Sequence, residues 1–186
     1  PYKTLFGIEY AQFIKLSTSL RKTWQLGFKS QLVGRVAGGL IIPYGNSDVP
    51  PFAECFYVGG ANSIRAFTVR SIGPGRYRSQ NSDYAYFDRV GDMKLEANLE
   101  YRFNIFGGLY GALFLDAGNV WVMHSDDRIG GKFEPQNALR DMALGTGVGL
   151  RYDMDFLVIR LDWGVGLHVP YNTGFYNVDS FKNSQS

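Results

Sequence analysis

From Met93 to Phe103 the chain alternates without a break between apolar and polar residues. Met93, Leu95, Ala97, Leu99, Tyr101 and Phe103 fall on one face, and Lys94, Glu96, Asn98, Glu100 and Arg102 on the other. A period of two sustained over this length predicts a strand with two unlike faces. A soluble sandwich gives the same alternation, with its apolar face turned to the core. Length separates the two cases. Soluble strands usually run about 5–6 residues, whereas a strand that crosses a bilayer obliquely needs about 9–11.

The pattern recurs. Gly108 to Trp121 places Leu109, Leu113, Leu115 and Trp121 opposite Asp116. Ala143 to Asp153 sets Leu144, Thr146, Val148, Leu150 and Tyr152 against Gly145, Gly147, Gly149, Arg151 and Asp153. Phe156 to Leu167 sets Leu157, Ile159, Leu161, Trp163, Val165 and Leu167 against Arg160, Asp162, Gly164 and Gly166. Phe13 to Arg21 and Gln25 to Ala37 alternate similarly, and residues 2–12 either begin the first of these strands or belong to another. Tight turns are expected at Asn104–Gly107 and Asp153–Asp155, and long connections at about 38–92 and 123–141. Short turns on one side and long loops on the other are the habit of outer-membrane barrels. Tyr101, Phe103, Phe106, Tyr110, Trp121, Tyr152 and Phe156 lie near strand ends, as interfacial aromatic girdles do. The charged, glycine-rich faces suit a wet lumen with room beside the wall for something bulky. The fold expected is therefore all-β, an antiparallel transmembrane barrel wall of about six or seven strands.

Composition removes several other classes. The net charge of +2 over 186 residues, with no basic stripe, argues against a nucleic-acid partner. One cysteine, Cys55, excludes an intrachain disulfide and reads as a small loop filler. No apolar run approaches the roughly 18–20 residues of a membrane helix, and the run at Leu40-Ile41-Ile42 stops at Pro43. There is no signal peptide. Pro1 and the polar tail after Phe181 read as cut ends of a longer protein.

Enzyme readings fail on geometry. Glu96 and Glu100 share a face but lie about 13 Å apart along a strand, beyond the roughly 5–9.5 Å of a glycosidase pair. His124 and His168 have no metal-ligand companion at the right spacing. Asp126-Asp127 and Asp153-Met154-Asp155 match no calcium loop. Gly145-Thr146-Gly147-Val148-Gly149 lacks a phosphate-binding lysine and sits inside an alternating strand. No nucleophile elbow is present. Neither a metal nor a cofactor is expected, and no bond chemistry.

The long loop of residues 38–92 carries Val58, Ile64, Phe67, Val69 and Ile72 among glycines and arginines. That is too apolar for free disorder, and loops of such length are usually functional. At its centre, Gly59-Gly60-Ala61-Asn62-Ser63-Ile64-Arg65-Ala66-Phe67 sets one arginine between apolar neighbours. If buried, Arg65 needs a carboxylate. Strand parity offers Glu100 and Asp116 on the polar faces, and one guanidinium fork suits two carboxylates.

Three motifs here resemble the BamA/TamA superfamily of outer-membrane assembly factors. The first is Gly59, Gly60, Ile64, Arg65, Ala66 and Phe67, followed by Gly73, Pro74 and Gly75. The second is Leu99-Glu100-Tyr101-Arg102-Phe103, and the third is Phe114, Asp116 and Gly118 in an aromatic-x-Asp-x-Gly pattern. The resemblance covers essentially the whole chain in order. The departure is Ala66, where the family usually has glycine; the extra methyl narrows the choices of the loop tip. Ile-Arg-Ala-Phe with Ser-Ile-Gly-Pro-Gly resembles the TamA-like members of the Bacteroidetes branch.

The resemblance implies the C-terminal part of a sixteen-stranded barrel in the outer membrane of a Gram-negative bacterium. It implies a loop folded into the lumen, with Arg65 meeting Asp116 and Glu100 as a structural latch. The function implied is insertion and assembly of outer-membrane proteins, or a related translocation role, with client strands pairing at a barrel seam. The partners implied are outer-membrane lipids, unfolded barrel clients, and periplasmic or lipoprotein accessory subunits. The periplasmic domains and the final strand are expected to lie outside this sequence, since nothing after Leu167 alternates further. A two-partner secretion pore, the barrel module of a lipase fusion and a passive porin stand as rivals.

Overall fold

The computed structural model describes residues 4–5, 8–78, 85–124 and 127–171, with side-chain environments for 10–78, 87–124 and 127–171. A short hairpin, β1 (Thr4–Leu5) and β2 (Ile8–Glu9), precedes the main sheet. The sheet holds β3 (Phe13–Gly27), β4 (Ser30–Pro43), β5 (Met93–Phe106), β6 (Leu109–Trp121), β7 (Ala143–Asp153) and β8 (Val158–His168). Every strand pairs antiparallel with its neighbour in sequence, in the order β3-β4-β5-β6-β7-β8. β3 is 15 residues long, about 50 Å at roughly 3.3 Å per residue. Tilted by about 45°, it more than crosses the roughly 30 Å of a hydrocarbon layer.

The two faces are inverted relative to a soluble sheet. Glu96, Glu100, Asp116 and Arg151 are buried, whereas Leu20, Val36, Leu113, Val148, Leu161, Trp163 and Val165 are exposed. Such an open apolar face is far larger than a water-soluble monomer tolerates, so the solvent of this face is lipid. Among the described residues no helix is long and apolar enough to cross a membrane; the strands do the crossing.

That orientation makes a direct prediction. Val148 sits at the middle of β7 on the lipid face, opposite Trp163. Val148→Arg should cost about 2–4 kcal/mol in lipid. Leu139→Arg, on the loop before β7 and 85% exposed, should change stability by no more than about 0.5 kcal/mol. Urea unfolding of the full protein in lipid vesicles reads both.

The strand limits differ from expectation in four places. The stretch Gln25 to Ala37 is not one strand: β3 and β4 meet at a two-residue turn, Phe28–Lys29. Neither turn residue is a usual turn former, so alternation ran through it. The long loop begins after Pro43 rather than at Gly38, because Gly38 and Gly39 stay paired in β4 with β5. β5 runs on to Phe106 through a bulge between Asn104 and Phe106. That bulge puts Phe106 opposite Leu109, on the lipid face. The last turn is longer at its far side, so β8 begins at Val158 rather than Phe156.

Two aromatic assignments also change. Trp121 shares the parity of Leu113 and Leu115, yet it is fully buried, edge-on to Phe133 at 5.5 Å. It lies where the loop of residues 122–142 folds back over the strand end. Tyr110 pairs with Asn104 and Arg151, which puts it on the lumen face. The expectation that no strand follows Leu167 concerns residues 172–186, outside the described residues.

The described part of the loop of residues 44–92 lies against the lumen face and builds a small core there. Ile41, Phe56, Val58, Ile64, Ile72, Val120, Ala143 and Val169 form one buried cluster. Phe56 lies against Gly39, where a Cβ would sit 2.4 Å from its ring. The loop's own regular structure, among its described residues, is a 3-10 turn at Phe52–Glu54 and a short helix, α1 (Ala85–Asp88).

Candidate functional site

Register determines which lumen-facing residues become neighbours. One row across the sheet reads Arg21, Arg35, Asn98, Asp116, Gly145 and Gly166. The adjacent row reads Val33, Glu100, Phe114, Gly147 and Gly164. Glu100 and Asp116 are therefore diagonal neighbours on β5 and β6. Diagonal residues on one face stand about 7–8 Å apart, a span that one guanidinium bridges.

Arg65 does so. Its Nε donates to Asp116 Oδ2 and its Nη2 to Asp116 Oδ1, each at 2.8 Å. Its backbone N–H adds a third bond to Asp116 Oδ2 at 3.0 Å. Nη1 donates to Glu100 Oε2. The guanidinium lies 3.7 Å from the centroid of the Phe114 ring, a stacked cation–π contact. The side chains of Arg65, Glu100 and Asp116 are 8%, 8% and 0% exposed. Burial alone acts to lower the Arg65 pKa, but hydrogen bonds and attraction from Asp116 and Glu100 outweigh it and hold the guanidinium above its ordinary value. It stays charged.

The rest of the loop motif shapes the tip. Gly59 has φ of +103, and a Cβ there would lie 2.0 Å from the Thr68 carbonyl oxygen. The Gly60 N–H donates to Phe67 O at 2.7 Å, closing the tip. Ile64 is fully buried and lies over Gly118, where a Cβ would sit 3.1 Å from its Cδ1. Downstream, Gly73 packs against Val120, Pro74 is fully buried, and the Gly75 N–H donates to Val120 O at 2.7 Å.

Ala66 is accommodated rather than strained. Its backbone stays out of the left-handed region, so glycine is not required. Its methyl fills the space left by Gly145, where a Cβ would lie 2.4 Å from the Ala66 Cβ. At Gly164 a Cβ would lie 2.8 Å from Ala66 Cα and 3.1 Å from Arg65 O. At Gly166 it would lie 3.0 Å from the Phe67 ring. These inward glycines form a groove for the Arg65-Ala66-Phe67 backbone.

Several site residues were not singled out by the sequence. Arg151 donates to Glu100 Oε2 at 2.8 Å and to Asp162 Oδ1 at 3.0 Å. Asn98 joins Ser63 O at 2.7 Å to Asp116 Oδ1 at 2.9 Å. Glu96 accepts from Ser63 and from Arg35. Arg160 donates to Ala61 O at 3.0 Å and Asn62 Oδ1 at 3.1 Å. The parity that found Glu100 and Asp116 also put Glu96, Asn98, Arg151 and Arg160 on the lumen face. What parity lacks is the stagger between strands. The Ser63 hydroxyl donates to Glu96, a carboxylate that Arg35 and Lys94 also face, and Glu100, Asp116 and Asp162 are likewise paired with guanidinium groups.

A second buried polar group ties loops 44–92 and 122–142 together. Asn119 donates to Gly75 O at 3.0 Å and to Asp141 O. Asp141 is buried, with Arg76 Nε 3.3 Å from its Oδ1. Burial raises the Asp141 pKa, with Arg76 opposing. A carboxyl group raised on folding favours the folded state fully below its unfolded pKa of about 3.9. That contribution is lost as pH rises through the higher folded value. Acidification from pH 7 should therefore raise the hydrogen-exchange protection factors of residues 122–142, measured relative to the intrinsic exchange rate at each pH. Asp141→Asn should remove most of that pH dependence.

A lipid-facing antiparallel wall of six strands with a loop anchored on its other face defines part of a transmembrane β-barrel. The family model of the Omp85 superfamily domain matches residues 4–181. The chain belongs to the Omp85 superfamily. It is 40% identical over 90 residues to an outer membrane protein assembly factor BamA of Nitratidesulfovibrio vulgaris, covering 48% of this chain and 10% of that protein. It is 30% identical over 142 residues to a sorting and assembly machinery component 50 homolog of Xenopus laevis, covering 75% of this chain and 30% of that protein. The crystal structure of BamA from Haemophilus ducreyi superposes with a TM-score of 0.65 at 18% identity, over 84% of this chain and 32% of that one. CdiB from Acinetobacter baumannii superposes at 0.52 and 20% identity, over 86% and 24%. At such identities the two superpositions show the fold. The chain thus spans a third or less of these proteins.

Proposed function

We propose that this chain is the barrel-wall and plug-loop part of a factor that inserts and assembles outer-membrane β-barrel proteins. It makes and breaks no covalent bond. Its membrane is the outer membrane of a Gram-negative bacterium. Its clients are unfolded barrel proteins, whose strands pair with a sheet edge at the barrel seam by β-augmentation. Periplasmic or lipoprotein subunits assist, and outer-membrane lipids surround it. Within the family, the loop sequence Ile64-Arg65-Ala66-Phe67 fits a TamA-like member of the Bacteroidetes branch.

The observation that carries the reading is the Arg65 anchor. It ties the loop tip to β5 and β6, while the glycine groove seats the tip on β7 and β8. In this reading Arg65, Glu100 and Asp116 are a structural latch. It holds the loop tip against the lumen face of the wall. The assembly names of the bacterial and vertebrate relatives described above support the same role.

Depletion of the full-length protein in its host tests the reading. Folded barrel proteins of many kinds should fall together, read as loss of heat-modifiable gel migration, and return with the wild-type gene. Loss of one secreted substrate, with barrel proteins unchanged, would instead support a dedicated export pore and overturn the assembly role.

A further inference from the structure

The latch leaves an excess of positive charge beside it. A lumen pocket between the loop and the wall is lined by Arg21, Arg35, Arg102 and Arg160, with Asn62 and Asn98 among the polar groups. The carboxylate in that lining is Glu100, and Arg65, Arg102 and Arg151 already share it. Arg21 and Arg35 stand directly opposite each other on β3 and β4. Like charges directly opposite across strands are destabilising. Arg35 is tied to Ser19, Asn62, Asn98 and Glu96. Arg21, exposed on the edge strand β3, makes no ion pair or hydrogen bond among the described residues. Arg102 uses its Nε for Glu100 and is 26% exposed, so its remaining donors face the pocket.

We propose that this pocket is an oxyanion-binding site for the carboxylates of an acidic peptide segment. Guanidinium forks bind carboxylates bidentately; Arg21 supplies an unoccupied fork, and Arg102 supplies the Nη donors left beside its Nε bond to Glu100. The pocket opens on the lumen side, away from the apolar face, so a polypeptide in the lumen reaches it and a bilayer lipid on the outer face does not. One bound carboxylate also relieves the Arg21–Arg35 repulsion. The proposal does not depend on the assembly role, since it concerns binding alone.

The test uses the full-length protein in detergent micelles and a fluorescein-labelled hexaglutamate peptide, read by anisotropy. Binding should be saturable and weaken as salt is raised. Arg21→Gln with Arg102→Gln should weaken it at least tenfold, while a hexalysine peptide does not bind. Unheated gel migration checks that the double variant is folded; if it is not, Arg21→Gln alone should weaken binding measurably. No saturable binding to the wild type would overturn the proposal, as would equal affinity in a folded variant. Displacement by inorganic phosphate at the same molar concentration as unlabelled hexaglutamate would overturn the peptide assignment, since a free small anion would then suffice.

Discussion

Arg65→Glu should release the loop from the wall and destabilise the barrel by at least about 3–5 kcal/mol. That figure is the usual cost of breaking a buried pair from one side. Two effects add in this variant. Asp116 loses the two bonds from the Arg65 side chain, keeping Asn98 and the backbone N–H of residue 65 only while the tip stays seated, and Glu100 keeps Arg102 and Arg151. A third carboxylate then faces both within a buried site. Arg65→Lys should rescue only in part, because an ammonium is a point charge and cannot span the diagonal in a fork. Protease sensitivity of residues 44–92 and the temperature at which the compact gel form is lost are the measurements. Wild-type behaviour of Arg65→Glu in both would show that the loop is held by its apolar core alone.

The second large effect concerns shape. Gly145→Ala and Gly164→Ala each push a methyl into the loop tip, at a typical overpacking cost of about 1–3 kcal/mol. The two should differ in rescue. At Gly145 the added methyl meets the Ala66 side chain at 2.4 Å, and its next contact is 3.5 Å away. Ala66→Gly should therefore restore Gly145→Ala to near wild-type stability. At Gly164 the clash is with the backbone of Ala66 and Arg65, so Ala66→Gly should not help. Unfolding midpoints of the four single and double variants decide the matter. Equal rescue at both positions would mean the tip moves as a body and the groove is not a fitted surface.

Much of this fold was legible because a strand's period of two is exact in the chain. Parity alone sorted Lys94, Glu96, Asn98, Glu100 and Arg102 onto the lumen face and Leu113, Leu115 and Val148 onto the lipid face. It also separated Glu100 and Asp116 from the residues facing lipid. Two kinds of information were missing. One is where a strand ends when its turn is built from Phe28 and Lys29, since neither interrupts alternation. The other is stagger. Glu96 and Glu100 look equivalent in the sequence, yet register places Glu100 diagonal to Asp116 and under Arg65, and Glu96 under Ser63 and Arg35. Burial by loops was also invisible. Trp121 has a lipid-facing position in the strand and a core position in the protein, because residues 122–142 fold over it. The glycines of β7 and β8 announced space beside the wall, but only the structure shows the Ala66 methyl filling part of it.

The same stagger explains why one arginine suffices. A guanidinium opposite a single carboxylate braces two strands at most. Here the fork reaches β5 and β6, the backbone N–H of Arg65 adds to the β6 contact, and the following two residues press into β7 and β8. The loop thus cross-links four strands through one short segment.

A double-mutant cycle between Arg65→Ala and Asp116→Ala, read by equilibrium unfolding of the full protein in lipid vesicles, tests the latch most directly. The bidentate, buried geometry predicts that the two substitutions are not additive, with a coupling energy in the range of about 0.5–3 kcal/mol and toward its upper end. Additivity within about 0.3–0.5 kcal/mol would contradict the account, because Arg65 and Asp116 would then stabilise the barrel independently of each other.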